Sequence, residues 1–251
     1  MKITSYNISK FKGVYDKGAF IPEYMNELKK LISNKKLLDG KDDIVILQEV
    51  PYKASNKMYE LFIETFNKEY DIIEPMYKGN EAKSIVVALL LKDKSNWTHI
   101  NEFKYFDTDY DLGSKVVEIE NKVTGQSIIG LHMVELGEKR ITEEKGKDLL
   151  WDCLSDTLES HKYTYIVGDL NAHNNEHRPD DKRSPEKLKM FTDKGYKDLV
   201  PDNYVTFYSA KTTVDHMYYN TEQVKADEGD FGLIPINLSD HACLVYESKE
   251  K

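Results

Sequence analysis

Two stretches of this sequence, DIVILQE at 43–49 and SIVVALLL at 84–91, are apolar at consecutive positions instead of alternate ones. A strand with one wet face alternates apolar and polar side chains. A run without alternation needs cover on both faces. The chain must therefore build a sheet that is covered on both sides, and that requires layers. The first run also stops abruptly in Gln48 and Glu49. A buried strand whose C-terminal end turns polar is placed to deliver side chains to a site.

Other segments supply the cover. Glu23 to Ser33 carries Met25, Leu28, Leu31 and Ile32 at helical spacing, and Asn56 to Asn67 carries Met58, Leu61, Phe62 and Phe66. Thr142 to His161 gathers Leu149, Leu150, Cys153, Leu154 and Leu158 on one side. A further helix is expected with Ser184 as N-cap and Pro185 at its first position, ending at Gly195. Ile3 to Asn7, Thr164 to Val167, Val205 to Tyr208, Val214 to Tyr219 and Ala242 to Glu247 read as strands. Lys115 to Glu120 and Gln126 to His132 read as a hairpin about Thr124-Gly125. No internal repeat, low-complexity linker or composition break divides residues 1–251, so one domain is expected. Its class is α/β (α+β), layered, with two sheets packed together.

Charge narrows the function. The chain has 35 basic and 44 acidic residues, a net charge of −9. That argues against a passive DNA-binding module, whose affinity comes from many phosphate contacts. It does not argue against a metal-dependent nuclease, because a bound cation reverses the field of the carboxylates that hold it. Cys153 and Cys243 have no metal-ligand spacing and read as buried free thiols. The apolar run at 85–91 is too short to cross a membrane. MKITSYNISK shows no apolar leader core and no small-residue cleavage site, which gives a cytoplasmic expectation. A mature secreted form with its leader removed would look the same.

Polar residues recur where apolar strands end. Asn7, Gln48 and Glu49, His132, then Asp169 and Asn171 each follow such a run; Asp215 and His216 sit within TTVDHMYYN; Ser239, Asp240 and His241 precede the last strand. Several carboxylates, amides and histidines suit a hard cation such as Mg2+ (or Mn2+). Zinc fits less well, without an HExxH helix, a cysteine cluster or a close histidine pair. Hydrolysis of a phosphodiester needs a polarised phosphoryl oxygen, a deprotonated water and a stabilised leaving oxygen. A metal on carboxylates together with a His–Asp pair can supply all three.

MKITSYNIS, ILQEV, the strand ending in GLH, YIVGDLNAH, VDHMYYN and LSDHACL, taken in this order, resemble the motif set of the deoxyribonuclease I-like endonuclease/exonuclease/phosphatase superfamily. The resemblance runs from residue 3 to residue 247. It implies a four-layer sandwich, two mixed β-sheets face to face and flanked by helices. It implies a metal shell of Glu49 with Asn7 and Asp240. It implies that Asp169 orients or deprotonates the attacking water and that Asn171 donates to the scissile phosphate. Asp215 would hold His241 in one tautomer, His241 would bind or protonate the phosphoryl group, and His132 would be the second histidine at the phosphate.

The resemblance implies a phosphodiesterase with a nucleic-acid substrate, DNA first, and no membrane partner. A DNA endonuclease is the first reading. A DNA end-processing phosphodiesterase of the tyrosyl-DNA type comes second, and a lipid or inositol-phosphate phosphoesterase third. HMVELG at 132–137 departs from the abasic-site branch, which has a Tyr and an Asn-Gly stretch there. A catalytically dead member serving as a binding module would have lost site residues, and all of them stand here. Each also has a plainer role to be weighed: Asn7 as a turn cap, Asp169 and Asn171 as turn formers after Gly168, His132 as a core histidine. His99, His161, His173 and His177 are expected in loops or at the surface, and His216 in a local bond. The tyrosines are expected in strands and core, and Lys139, Arg140, Arg178, Lys182 and Arg183 on a solvated or DNA-steering face.

Overall fold

A computed structural model describes residues 1–11, 21–33, 43–52, 56–78, 82–93, 95–104, 112–134, 144–174, 183–201, 204–224, 229–234 and 238–248. The strands are β1 (Lys2–Asn7), β2 (Ile44–Pro51), β3 (Tyr70–Ile73), β4 (Ser84–Leu91), β5 (Trp97–His99), β6 (Val116–Asn121), β7 (Ser127–His132), β8 (Tyr165–Asp169), β9 (Tyr196–Asp198), β10 (Asp215–Asn220), β11 (Gly229–Ile234) and β12 (Cys243–Ser248). The helices are α1 (Ile21–Ile32), α2 (Asn56–Phe66), α3 (Glu144–Ser160) and α4 (Arg183–Asp193).

The described strands form two six-stranded sheets, ordered β11-β12-β1-β2-β4-β3 and β5-β6-β7-β8-β10-β9. Each sheet has one parallel pair at its centre, β1 with β2 and β7 with β8, and every other pairing is antiparallel. The pairing pattern of the first sheet is thus repeated in the second. The repeat that the sequence does not show is present in the hydrogen bonding.

Burial separates three apolar layers. On β2, Ile44 and Ile46 point between the sheets, while Val45 and Leu47 point at α1 and α2, where Met25, Leu28, Phe62 and Phe66 meet them. On β8, Tyr165 and Val167 point between the sheets, while Ile166 points at Trp151, Leu154, Leu188 and Phe191 of α3 and α4. The order is helix, sheet, sheet, helix, so the four-layer sandwich stands. This is why the two apolar runs lack alternation: both of their faces are covered. Cys153 and Cys243 are buried free thiols.

The strand reading of Val205 to Tyr208 is corrected. This segment is a tight loop, held by isolated bridges from Phe207 to Thr212 and to His241. Its Thr206 hydroxyl accepts the amides of Val214 and Asp215, so its β-branched residues serve a local turn instead of a ladder. Helix α4 begins at Arg183, which puts Ser184 inside the first turn instead of at the cap. Gly195 ends the helix as expected, at φ 85°. No described helix is long and apolar enough to cross a membrane.

Two glycines set how closely the central strands approach. A Cβ on Gly130 would lie 2.6 Å from Ile46 Cγ2, across the gap between the sheets. Gly168 has φ 141°, and a Cβ there would lie 1.9 Å from the Leu131 carbonyl oxygen of the neighbouring strand. Gly168→Ala is therefore expected to destabilise by about 2–4 kcal/mol. Thermal unfolding should show the midpoint lowered by roughly 5–15 °C. An unchanged midpoint would contradict this packing.

Candidate active site

The inter-sheet rows of side chains continue past the apolar core and turn polar at one end. Ile3, Ser5 and Asn7 share one face of β1, and Ile44, Ile46 and Gln48 share one face of β2. In the other sheet, Gly130 and His132 continue a row on β7, Val167 and Asp169 a row on β8, and Met217 and Asp215 a row on β10. The register sets Asn7 beside Gln48, His132 beside Asp169 and Asp169 beside Asp215. Period-2 geometry alone thus gathers most of the expected residues at one mouth.

Asn7 and Asp169 join the sheets. The Asn7 amide Nδ2 donates to Asp169 Oδ2 at 2.8 Å, fully buried, and its Oδ1 accepts the Ser9 amide at 2.8 Å. Asp169 Oδ1 accepts the Asn171 amide at 2.9 Å. Burial and the nearby Asp215 raise the Asp169 pKa to about 7. Asn171 has φ 47°, and its side-chain Nδ2 donates to the Met133 carbonyl at 2.9 Å.

Glu49 leaves its strand abnormally. The β2–β4 register shifts between Leu47 and Val50, and Glu49 adopts φ 56°. A bulge re-aims a side chain, and a non-glycine residue in this region costs about 1–3 kcal/mol unless its surroundings hold it there. Its carboxylate lies 3.3 Å from Lys10 Nζ and 3.4 Å from His132 Nε2.

The two histidines face Asp169 from opposite supports. His241 Nδ1 meets both oxygens of Asp215, at 2.9 and 3.1 Å, and its ring stacks on Phe207 with centroids 4.7 Å apart. Burial alone would lower its pKa; the carboxylates of Asp215, Asp169 and Asp240 overcome this and raise it to about 10. His132 Nδ1 lies 3.0 Å from Lys115 Nζ. Burial, then Lys115, Lys10 and His241, push the His132 pKa well below its ordinary value. The Nε2 atoms of His132 and His241 stand 3.9 and 4.0 Å from the same oxygen, Asp169 Oδ2.

Asp240 is exposed, on the turn before His241. Its backbone carbonyl accepts the Tyr208 amide, and its carboxylate lies near the Ser239 hydroxyl. Asp169, Asp215 and His241 each place one ligand atom within 4.8 Å of the others, close enough to hold a metal ion. Glu49 reaches this group through His132, whose Nε2 lies 3.4 Å from Glu49 Oε1 and 3.9 Å from Asp169 Oδ2, and carboxylate oxygens suit a hard divalent cation.

Some expectations need correction or cannot be placed. His173 lies in a loop, as expected, and is buried there. His216 bonds locally as expected, with Nδ1 2.6 Å from Asp198 Oδ2 and Nε2 2.9 Å from the Ala172 carbonyl. His161 lies in a loop as expected, edge-on to Tyr163, but His99 is half-buried within strand β5 instead of in a loop or at the surface. His177, Lys139, Arg140, Arg178, Lys182 and Glu135 to Gly137 lie outside the described residues. Lys115, Phe207 and Thr206 were not singled out from sequence, because none lies in a recognisable motif.

No protein-family model and no curated protein matches the chain in sequence. Solved structures do match in shape. The AP endonuclease of Archaeoglobus fulgidus superposes with a TM-score of 0.69 at 15% identity, covering all of both chains. The 3′ phosphatase NExo of Neisseria, solved with a product DNA hairpin, superposes with a TM-score of 0.66 at 15% identity, again over all of both chains. Truncated TDP2 of Caenorhabditis elegans gives 0.60 at 16% identity, over 98% of this chain and 96% of that one. The fold is deoxyribonuclease I-like. These identities speak for the fold; the chemistry has to be argued from the site.

His216 yields a pH prediction. Burial would lower its pKa, but Asp198 and the Ala172 carbonyl raise it above the ordinary 6.5. Both ring nitrogens then donate, and the cation stabilises the fold. That contribution is complete below the unfolded pKa of about 6.5 and is lost as pH rises through the higher folded value. The melting-temperature gap between the parent protein and Asp198→Asn should therefore be widest below about pH 6.5 and close as pH rises. A gap that widens with pH would refute the assignment.

Proposed function

We propose that this chain is a divalent-metal-dependent phosphodiester hydrolase that cuts DNA, in the first place as an endonuclease. The observation that carries this reading is the placement of two histidine Nε2 atoms on either side of one buried carboxylate oxygen, with Glu49 alongside. A structural ion pair needs one partner. A carboxylate flanked by two ring nitrogens at about 4 Å, too far for hydrogen bonds, leaves a gap that a phosphoryl oxygen or a water can fill. An AP endonuclease and a 3′ phosphatase with product DNA share the fold, which supports a DNA phosphoester as substrate.

Each residue then has a task. Asp169, with its pKa raised to about 7, takes a proton from an attacking water near neutral pH. Asn7 holds the other sheet's side of that carboxylate in place. His241, cationic up to about pH 10, stabilises charge that develops on the phosphoryl group, and Asp215 holds the ring in orientation by accepting from its Nδ1. Asn171 has two amide hydrogens, so it can serve both Met133 and a phosphate oxygen. Glu49 and Asn7 would hold Mg2+ or Mn2+, and Asp240 on the exposed turn completes the oxygen set that we assign to the ion. Such an ion, when bound, polarises a phosphoryl oxygen. The single domain over residues 1–251 belongs to the same proposal.

Supercoiled plasmid should be nicked with Mg2+ or Mn2+, and nicking should disappear with EDTA or in Glu49→Ala. Asp169→Asn and His241→Ala should each slow cleavage by about 10²–10⁴-fold without lowering the melting temperature by a comparable degree. Absence of nicking by folded protein with either metal would overturn the endonuclease reading, and 3′- and 5′-blocked oligonucleotide ends would then be the substrates to assay.

A further inference from the structure

We infer that Lys115 is a positioning residue that fixes the tautomer of His132, so that Nε2 carries the hydrogen and presents it to the phosphoryl oxygen. The inference rests on the phosphodiesterase reading only for the identity of that acceptor; the tautomer itself follows from the folded protein.

The sheet puts Lys115 there. It ends the short 3-10 turn Leu112–Lys115 and runs directly into β6. The β6–β7 ladder pairs Val116 with Leu131 and Val117 with Gly130, so one further step back along β6 falls opposite His132. Side chains directly opposite on neighbouring antiparallel strands are within reach of each other. The Lys115 ammonium accordingly lies 3.0 Å from His132 Nδ1.

The chemistry of that contact has one solution. An ammonium carries three donors and no acceptor, so the imidazole nitrogen facing it must offer a lone pair. The ring hydrogen is left for Nε2. That atom faces the cleft, 3.4 Å from Glu49 Oε1 and 3.9 Å from Asp169 Oδ2. The partner behind the other histidine has the opposite charge, because Asp215 accepts from His241 Nδ1. The carboxylate makes His241 the charged member of the pair, and the ammonium makes His132 the oriented hydrogen-bond donor. The two histidines therefore differ in duty although their Nε2 atoms flank the same oxygen at nearly equal distance.

The first readout needs neither metal nor substrate. Ring 15N shifts and two-bond 1H–15N couplings in the parent protein, with His132 assigned by its loss in His132→Gln, should show Nε2 protonated and Nδ1 not. Lys115→Met keeps the length of the side chain and removes the donor; it should move His132 to a mixture of tautomers while His241 keeps both nitrogens protonated. Lys115→Arg keeps a donor and should restore the Nε2–H form. On plasmid DNA with Mg2+, Lys115→Met should lower kcat by about 10–100-fold and change KM by less than about 3-fold, with most of the loss recovered in Lys115→Arg. A parent protein with His132 protonated at Nδ1 overturns the inference whether or not any variant folds. So does Lys115→Met with parental His132 shifts, or with parental kcat. If the parent protein fails to nick DNA yet shows the tautomer change in Lys115→Met, the positioning role stands and the substrate reading falls.

Discussion

One buried hydrogen bond, from the Asn7 amide to Asp169 Oδ2, ties the two sheets together at the mouth. Everything else at the site is arranged around it. Asn7 closes β1 and Asp169 closes β8, so the bond joins the parallel pair of one sheet to the parallel pair of the other. Both partners are buried, where an unpaired amide or carboxylate would be costly. The close approach at Gly130 and Gly168 makes it possible, because a side chain at either position would push strands apart. Packing and chemistry are therefore not separable here: the apolar rows that seal the sandwich are the same rows that, two residues later, become the site.

The electrostatics follow from burial. Asp169 and Asp215 face each other across one ladder step, both nearly inaccessible to water. Two such carboxylates cannot both be charged cheaply, so Asp169 holds its proton up to about 7, and His241 is kept cationic to compensate. The positive charges of Lys10 and Lys115 stand on the far side, against Glu49 and His132. The cleft is thus built from alternating signs, a distribution that a divalent cation and a phosphate can enter in exchange.

The long elements and the motif residues were legible from sequence because they obey simple periodicities. The runs at 44–51 and 84–91, the helices ending near Ile32, Phe66 and Ser160, and the polar strand ends all came out close to where they were expected. What could not be read has a physical reason in each case. β3, β5 and β9 are edge strands of three or four residues, too short to show a period, and β11 carries two glycines in GDFGLI. Val205 to Tyr208 has strand composition, but Thr206 bonds back to the start of β10 and bends it into a loop. Lys115 could not be found because its meaning lies in a cross-strand register, which a one-dimensional pattern does not contain. The bulge that aims Glu49 left no glycine to announce it, since a glutamate itself takes the positive φ.

β12 lies between β11 and β1, with Lys2 paired to Glu247 and Ser5 to Leu244. Closure of that edge of the sheet therefore waits for residues 243–248. As the chain leaves the ribosome, β1 and β2 can meet early, but the other edge of β1 stays open until residues 243–248 emerge, and His241 reaches Asp215 only at that moment. Closing so distant a contact is slow on the folding timescale. A chain cut short before residue 241 lacks the β12 pairing and the His241–Asp215 contact, so one edge of β1 stays open and the site stays incomplete.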